Sequence, residues 1–306
     1  VAILDNGQKE VLIQQRAQNT HQGGLWEFPG GKLESDETVE LALQREILEE
    51  LGIRVESSRP LIQIYHDYGD RAVLLDVHRV QQWSGELQAL ENQPMQWVMP
   101  GRLAEYPMPA ADKPIISALT LPSSYVITPP QINNAATLLQ QFEKLLLQGE
   151  RLFLYRVKAL QGLQHEQLIE AMLKLCEPYA AKLLLHEKNP VSPEIQALTG
   201  GIHLTEDGLR QADASFSSPG LLSVSCHSLE TLIMAQNMGA DFAMLSPVEA
   251  TASHPGVKPL GWQAFAEIVA KVNIPVFALG GMTSARVEQA WLHGAQGVAG
   301  ISSWWV

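Results

Sequence analysis

Residues 31–53 read Gly-Lys-Leu-Glu-Ser-Asp-Glu-Thr-Val-Glu-Leu-Ala-Leu-Gln-Arg-Glu-Ile-Leu-Glu-Glu-Leu-Gly-Ile. The stretch fits G-x5-E-x7-R-E-U-x-E-E-x-G-U, with U aliphatic, through Gly31, Glu37, Arg45, Glu46, Ile47, Glu49, Glu50, Gly52 and Ile53. At average residue usage its polar and glycine positions would match by chance on the order of once in 10⁹ tries, so the pattern carries information. It reads as a helix. Asp36 and Glu37 would place negative charge in the first turn, where the macrodipole favours it. Leu41, Leu43, Ile47, Leu48 and Leu51 would supply apolar surface, and Gly52 is a natural stop. Glu46, Glu49 and Glu50 are spaced i, i+3, i+4 and share one face. Like charges at that spacing repel, and hard cations bound through carboxylate oxygens, Mg²⁺ or Mn²⁺, remove the repulsion. The alternative is a solvated acidic face. The entry loop Phe28-Pro29-Gly30-Gly31, of the kind that lets backbone approach a ligand, favours the metal reading.

The rest of the chain sets the frame. Its 306 residues favour two domains, and 46% hydrophobic content is ample for buried cores. A formal net charge of -12 argues against a protein that coats a nucleic-acid polymer. It leaves room for a small phosphorylated substrate, because bound metal inverts the local field. The two cysteines, Cys176 and Cys226, stand far apart and imply a reducing, cytoplasmic setting. There is no run of 18 apolar residues and no visible signal peptide, so no membrane association is expected. The sequence opens at Val1 inside a strand-like run, and further N-terminal residues are expected before it. Oligomeric state and protein partners are not encoded in any motif.

Apolar runs at 1–4 and 11–14 flank Asp5-Asn6-Gly7-Gln8, a hairpin signal. Strands are expected at 61–66, 72–80 and 96–98, and a helix at 114–119. The composition changes at Thr120-Leu-Pro-Ser-Ser, which sets domains of 1–120 and 121–306. Beyond it, strands at 124–128, 152–157, 182–186, 201–204, 221–226, 242–246, 275–279 and 297–301 alternate with helices at 132–148, 164–177, 228–238, 260–271 and 283–293. Eight such units predict a (β/α)₈ TIM barrel. The closing helix after the eighth strand is expected to be short or absent. Trp304 and Trp305 would cover the barrel, pack on the other domain or make an oligomer contact.

The first pattern resembles the signature of the Nudix hydrolases. Segments 12–16, 26–32, 90–93 and 109–114 resemble, in order, those of the MutT-type branch, which removes oxidised guanine nucleotides. The resemblance implies an α/β/α sandwich with a mixed sheet. It implies Mg²⁺-dependent attack of water on a nucleoside triphosphate, releasing the monophosphate and pyrophosphate. By position it makes Glu46, Glu49 and Glu50 metal ligands, with the Gly30 carbonyl and Glu91. Glu46 or Glu91 would be the base, and Arg45 would pair with Glu37 to fix the loop. Arg16 would contact phosphate or form a surface ion pair, with Glu27 beside the substrate. Asp112 stands where the family typically has a base-reading asparagine; the competing reading is a helix N-cap before Pro114. An 8-oxo-dGTP substrate is expected, against another nucleotide or a pathway-specific pyrophosphate.

Residues 124–303 resemble thiamine-phosphate synthase and the thiazole tautomerase TenI, through Gly201-Ile-His-Leu, Ser223-Val-Ser-Cys-His-Ser-Leu-Glu230, Ala278-Leu-Gly-Gly-Met-Thr283 and Gly294-Ala-Gln-Gly-Val-Ala-Gly-Ile-Ser302. The resemblance places a thiamine-related phosphate near Gly280, Gly281, Ile301 and Ser302, with Arg156 and Ser225 in the same site. His227 matches a tautomerase histidine; it would transfer protons or be an inherited hydrogen-bonded residue. Cys226 reads as a buried strand residue. The synthase pattern is damaged. His186-Glu187 replaces Asn-Asp, Leu154 replaces a glutamine, His254 replaces a lysine, and Asp207 matches a metal-binding aspartate only with a one-residue shift. Synthase activity is therefore not expected. The alternative to the nucleotide-sanitising reading is a thiamine-pathway bifunctional enzyme, in which a pyrophosphatase accompanies a thiazole tautomerase or a thiamine-phosphate-binding barrel.

Overall fold

The computed structural model describes residues 1–132, 134–158, 162–213, 216–251 and 256–305. The chain divides into two compact units, Val1–Thr120 and Leu121–Val306. His254 lies outside the described residues.

The first unit contains β1 (Ala2–Ile3), β2 (Val11–Gln15), β3 (Trp26–Glu27), α1 (Val39–Leu51), β4 (Arg54–Asp67), β5 (Ala72–Ser84), β6 (Met95–Val98) and α2 (Lys113–Thr120). The strands form two sheets. One has order β1-β5-β4 and is mixed, with β1 parallel to β5; the other, β3-β2-β6, is antiparallel. The turn at Asp5–Gln8 forms, with a bridge between Asp5 and Val11, but β1 and β2 then enter different sheets. β4 and β5 are longer than their apolar cores suggest. Their ladder continues through polar residues and absorbs irregularities at Val55–Ser57 and Pro60–Ile62.

Helix α1 starts later than its charges imply. Thr38 is the N-cap, its side chain accepting from the Leu41 N–H, so Asp36 and Glu37 precede the helix and Glu40 is the acid of the first turn. Gly52 ends it in the left-handed region at φ 69°, its N–H donating to the Leu48 carbonyl. Ala42, Leu43, Ile47 and Leu51 are buried. Leu41 and Leu48, two further apolar positions of this helix, are exposed.

The second unit is a closed barrel of eight parallel strands. In chain order its elements are β7 (Ser124–Ile127), α3 (Ala135–Leu147), β8 (Leu152–Tyr155), α4 (Gly162–Cys176), β9 (Lys182–His186), α5 (Pro193–Leu198), β10 (Gly201–Leu204), α6 (Glu206–Gln211), β11 (Leu221–Cys226), α7 (Leu229–Asn237), β12 (Phe242–Leu245), α8 (Trp262–Val269), β13 (Val276–Leu279), α9 (Val287–Leu292) and β14 (Gly297–Gly300). Alternation along each strand builds two layers. Tyr125, Leu154, Leu184, Phe242, Met244 and Phe277 fill the interior, while Val126, Phe153, Tyr155 and Leu183 meet the helices. Trp304 joins that outer layer and donates from Nε1 to Glu150 at 2.9 Å; Trp305 donates to the Ile127 carbonyl at 2.8 Å. Both tryptophans thus seal the barrel itself. Among the described residues no helix is long and apolar enough to cross a membrane.

Candidate active site and barrel pocket

In the first unit the glycine loop and α1 are fitted to each other. The Gly30 N–H donates to Glu50 Oε2 at 3.0 Å, and Gln14 Nε2 donates to the same oxygen at 3.1 Å. A Cβ on Gly31 would overlap the Glu46 carboxylate. That contact, rather than backbone conformation, is why glycine stands there. Gly30 has φ 138° and needs glycine for its conformation. Gly30, Gly31, Leu43, Glu46, Leu75 and Asp76 line a cavity of about 210 Å³.

Arg45 ties the loop to the helix. It donates to both Glu37 oxygens at 3.0 Å, to the Lys32 carbonyl at 3.1 Å, to Glu46 at 2.9 Å and to Glu49 at 3.4 Å. Glu49 is mostly exposed. Glu91 is exposed, hydrogen-bonded to Gln93 at 2.8 Å, and close enough to Glu50 to oppose its ionisation. Burial, reinforced by Glu91 and Glu27, pushes the Glu50 carboxyl up to about 7 despite its two donors. Among the described residues no three His, Cys, Asp or Glu side chains already enclose a metal position. Nevertheless Glu46, Glu49, Glu50 and the Gly30 carbonyl fit Mg²⁺ in kind. They are hard oxygen donors, and a buried carboxylate crowded by like charge is relieved by a divalent cation.

Arg16, Glu27 and Asp112 form a second group. Arg16 pairs with Glu27 and donates to the His21 carbonyl at 2.9 Å, so in this structure its charge is held by a protein partner. Burial raises the Glu27 pKa against the pull of Arg16. Asp112 is only 6% exposed, and its Oδ2 has no hydrogen-bond partner. Burial and the nearby Glu27 push its carboxyl up to about 7. It closes a short 3₁₀ turn, Ala110–Asp112, directly before α2. Gln14, 2% exposed, closes the apolar run of β2 and belongs to the site, although the sequence assigns it no role.

In the barrel, His203 lies buried with Nδ1 2.6 Å from Ser223 Oγ and Nε2 2.8 Å from Ser225 Oγ. Tyr125 OH stands 3.2 Å from Ser223. His227 is exposed, and its Nδ1 donates to the Ser246 carbonyl at 2.8 Å, which leaves Nε2 as the acceptor. Gly280 and Gly281 have φ 98° and 70° and pack against the Pro247–Ala250 segment. Ile301 and Ser302 follow β14 in a turn, with the Ile301 carbonyl accepting from the Trp304 N–H. Cys226 is buried and its thiol pushed up to about 12 by burial.

Glu187 accepts from the Thr205 N–H at 3.2 Å and from the Thr205 hydroxyl, and its carboxylate fills the space over Gly208. Asp207 is exposed in the first turn of α6. Thr205 also lines a cavity of about 670 Å³, with Arg156, Lys158, His165, His186, Lys188 and Asn189 among others.

A glycine loop locked onto an acidic helix, followed along the chain by a closed parallel barrel, defines a two-part α/β enzyme. A family model described as NUDIX domain matches residues 1–118, and one described as Thiamine monophosphate synthase matches residues 124–304. The chain belongs to the Nudix hydrolases through its first unit and to the thiamine monophosphate synthase family through its second. It is 35% identical to the 8-oxo-dGTP diphosphatase of Escherichia coli K12, over 39% of this chain and 92% of the relative. It is 36% identical to the CTP pyrophosphohydrolase of the same organism, over 39% of this chain and 87% of the relative. The barrel is 35% identical to "Putative thiamine-phosphate synthase 2" of Aquifex aeolicus, over 60% of this chain and 98% of the relative.

Proposed function

We propose that the first unit is a Mg²⁺-dependent nucleoside triphosphate pyrophosphohydrolase that converts 8-oxo-dGTP to 8-oxo-dGMP and pyrophosphate, a nucleotide-pool sanitising role. The observation that carries the reading is the Gly30-Gly31 loop seated on Glu46 and Glu50. Glu46, Glu49, Glu50 and the Gly30 carbonyl would hold the metal. When bound, Mg²⁺, or Mn²⁺ in its place, supplies Lewis-acid and templating chemistry. The chain's own residues do the rest. Arg45 holds Glu37, Glu46 and Glu49 in one network. Glu46, against the loop, takes the proton from the attacking water, with Glu91 as the alternative base. The water oxygen bonds to phosphorus as the bridging P–O bond breaks, and pyrophosphate leaves.

Asp112 is the base reader in this account. A buried carboxyl near neutrality can be ionised, accepting from guanine N1–H and N2–H₂, or protonated, also donating to O6. Arg16 and Glu27 wall the same group. The test is kcat/KM for 8-oxo-dGTP, dGTP and CTP in the parent and in Asp112→Ala. The substitution should cut the preference for 8-oxo-dGTP about tenfold or more while sparing hydrolysis of the poorer substrates, because a site built to hydrogen-bond loses discrimination when its partner goes. An unchanged ratio would remove Asp112 from base reading.

A second reading is favoured by His227. With Nδ1–H fixed on the Ser246 carbonyl, Nε2 is positioned to move a proton, as a thiazole tautomerase would require. The barrel would then make the chain a thiamine-pathway bifunctional enzyme. Interconversion of thiazole phosphate tautomers, lost in His227→Gln, would support it; equal rates in both proteins would end it.

A further inference from the structure

Strand β2 turns one face to α1. Leu12 packs there with Leu43, Ile47 and Leu51 of the helix, and alternation puts Gln14 on the same face two residues further on. β2 is the middle strand of its sheet, with Gln14 opposite Glu27 of β3 and Met95 of β6, so its backbone is held from both sides. An apolar side chain would complete this face. Gln14 instead buries an amide, which is unfavourable unless both of its ends are hydrogen-bonded.

Only one end is paired. Gln14 Nε2 donates to Glu50 Oε2 at 3.1 Å, while Gln14 Oε1 is buried with no hydrogen-bond partner. Turning the amide over would not repair this. An ionised carboxylate only accepts, so two acceptors would then face each other. An orphaned buried acceptor destabilises the fold. Packing alone would therefore be served as well by a methionine, and what the glutamine adds is a donor aimed at Glu50.

The Gly30 N–H reaches the same Glu50 oxygen at 3.0 Å. Two donors, one from β2 and one from the glycine loop, thus converge on Oε2, and among the described residues no hydrogen bond falls on Oε1. The carboxylate is anchored by one oxygen and free at the other. Arg45 orders Glu37, Glu46 and Glu49 but makes no bond to Glu50. Glu50 therefore depends on separate support, and outer hydrogen-bond partners of this kind set the orientation of a metal-ligating carboxylate.

We propose that Gln14 is a positioning residue for the divalent cation: with the Gly30 N–H it fixes Glu50 through Oε2 and so presents Oε1 to the ion. This role rests on the metal-dependent hydrolysis proposed for the first unit.

The test is Mn²⁺ titration of the full chain, followed by the electron paramagnetic resonance signal of the free ion. It compares the parent, Gln14→Met, Glu50→Gln and the double variant, with melting temperatures taken in EDTA. Gln14→Met should weaken Mn²⁺ binding about tenfold or more. Its melting temperature in EDTA should equal or exceed that of the parent, because the orphaned oxygen is gone and Glu50 keeps the Gly30 donor. In the Glu50→Gln background the same substitution should weaken binding no further, since it acts through Glu50. Unchanged Mn²⁺ affinity in Gln14→Met, losses that add in the double variant, or a melting temperature in EDTA below that of the parent overturns the proposal. Any of these beside Mn²⁺ binding by the parent leaves the hydrolase reading standing, whereas a parent that binds no Mn²⁺ overturns both.

Discussion

At the scale of single residues, Asp112 and Gly31 make the sharpest claims. Asp112 is buried with one orphaned oxygen, and its carboxyl is pushed up to about 7 from an ordinary 3.8. A raised carboxyl contributes stability fully present below the unfolded value of about 3.8 and lost as pH rises through about 7. Asp112→Asn keeps the shape and removes the charge. It should match the parent near pH 4 and exceed it at pH 8, by at most on the order of 4 kcal/mol. Urea denaturation at both pH values checks this; parallel curves would contradict it. For Gly31→Ala, the new methyl must displace the Glu46 carboxylate. A catalytic group moved by about an ångström costs about a hundredfold, so kcat should fall by that order while far-UV circular dichroism stays unchanged. Full activity in Gly31→Ala would mean that Glu46 works from elsewhere.

At the scale of elements, α1 shows what a sequence conveys and what it does not. The spacing of Leu43, Ile47 and Leu51 and the stop at Gly52 were readable because they obey the helix period and a local backbone rule. The true start was not, because Thr38 wins the cap through a side-chain bond to Leu41, and acids just upstream resemble a first turn. β3, two residues long, and the six-residue helices α5 and α6 are too short to show a period. The barrel strands were legible as apolar runs bounded by polar ones. Glu187 turning onto Thr205, and Lys158 converging with Lys188, are tertiary facts with no local signal. Arg45 gives the prediction at this scale. Its fork spans both Glu37 oxygens, which a point charge cannot reproduce. Arg45→Lys should therefore lose most of the activity that Arg45→Ala loses, about tenfold or more in kcat. Recovery by lysine would reduce the role of Arg45 to charge alone.

At the scale of the whole molecule, two units carry two families, and each is held by its own core. Trp304 closes the outer layer of the barrel with its ring over Gly300 and its Nε1 on Glu150. Removing so large a buried ring leaves a cavity, and Trp304→Ala should destabilise the barrel by about 3–5 kcal/mol in denaturant unfolding. A loss below about 1 kcal/mol would show that the C-terminal segment is not part of the fold's closure. The account as a whole turns on the carboxylates of α1 acting with a divalent cation. The most direct measurement is pyrophosphate release from 8-oxo-dGTP by the full chain, with Mg²⁺ and in EDTA, beside Glu46→Gln. The account predicts release with Mg²⁺, its loss in EDTA, and a fall of about a hundredfold or more in Glu46→Gln. Release that survives EDTA, or an undiminished Glu46→Gln, would contradict it.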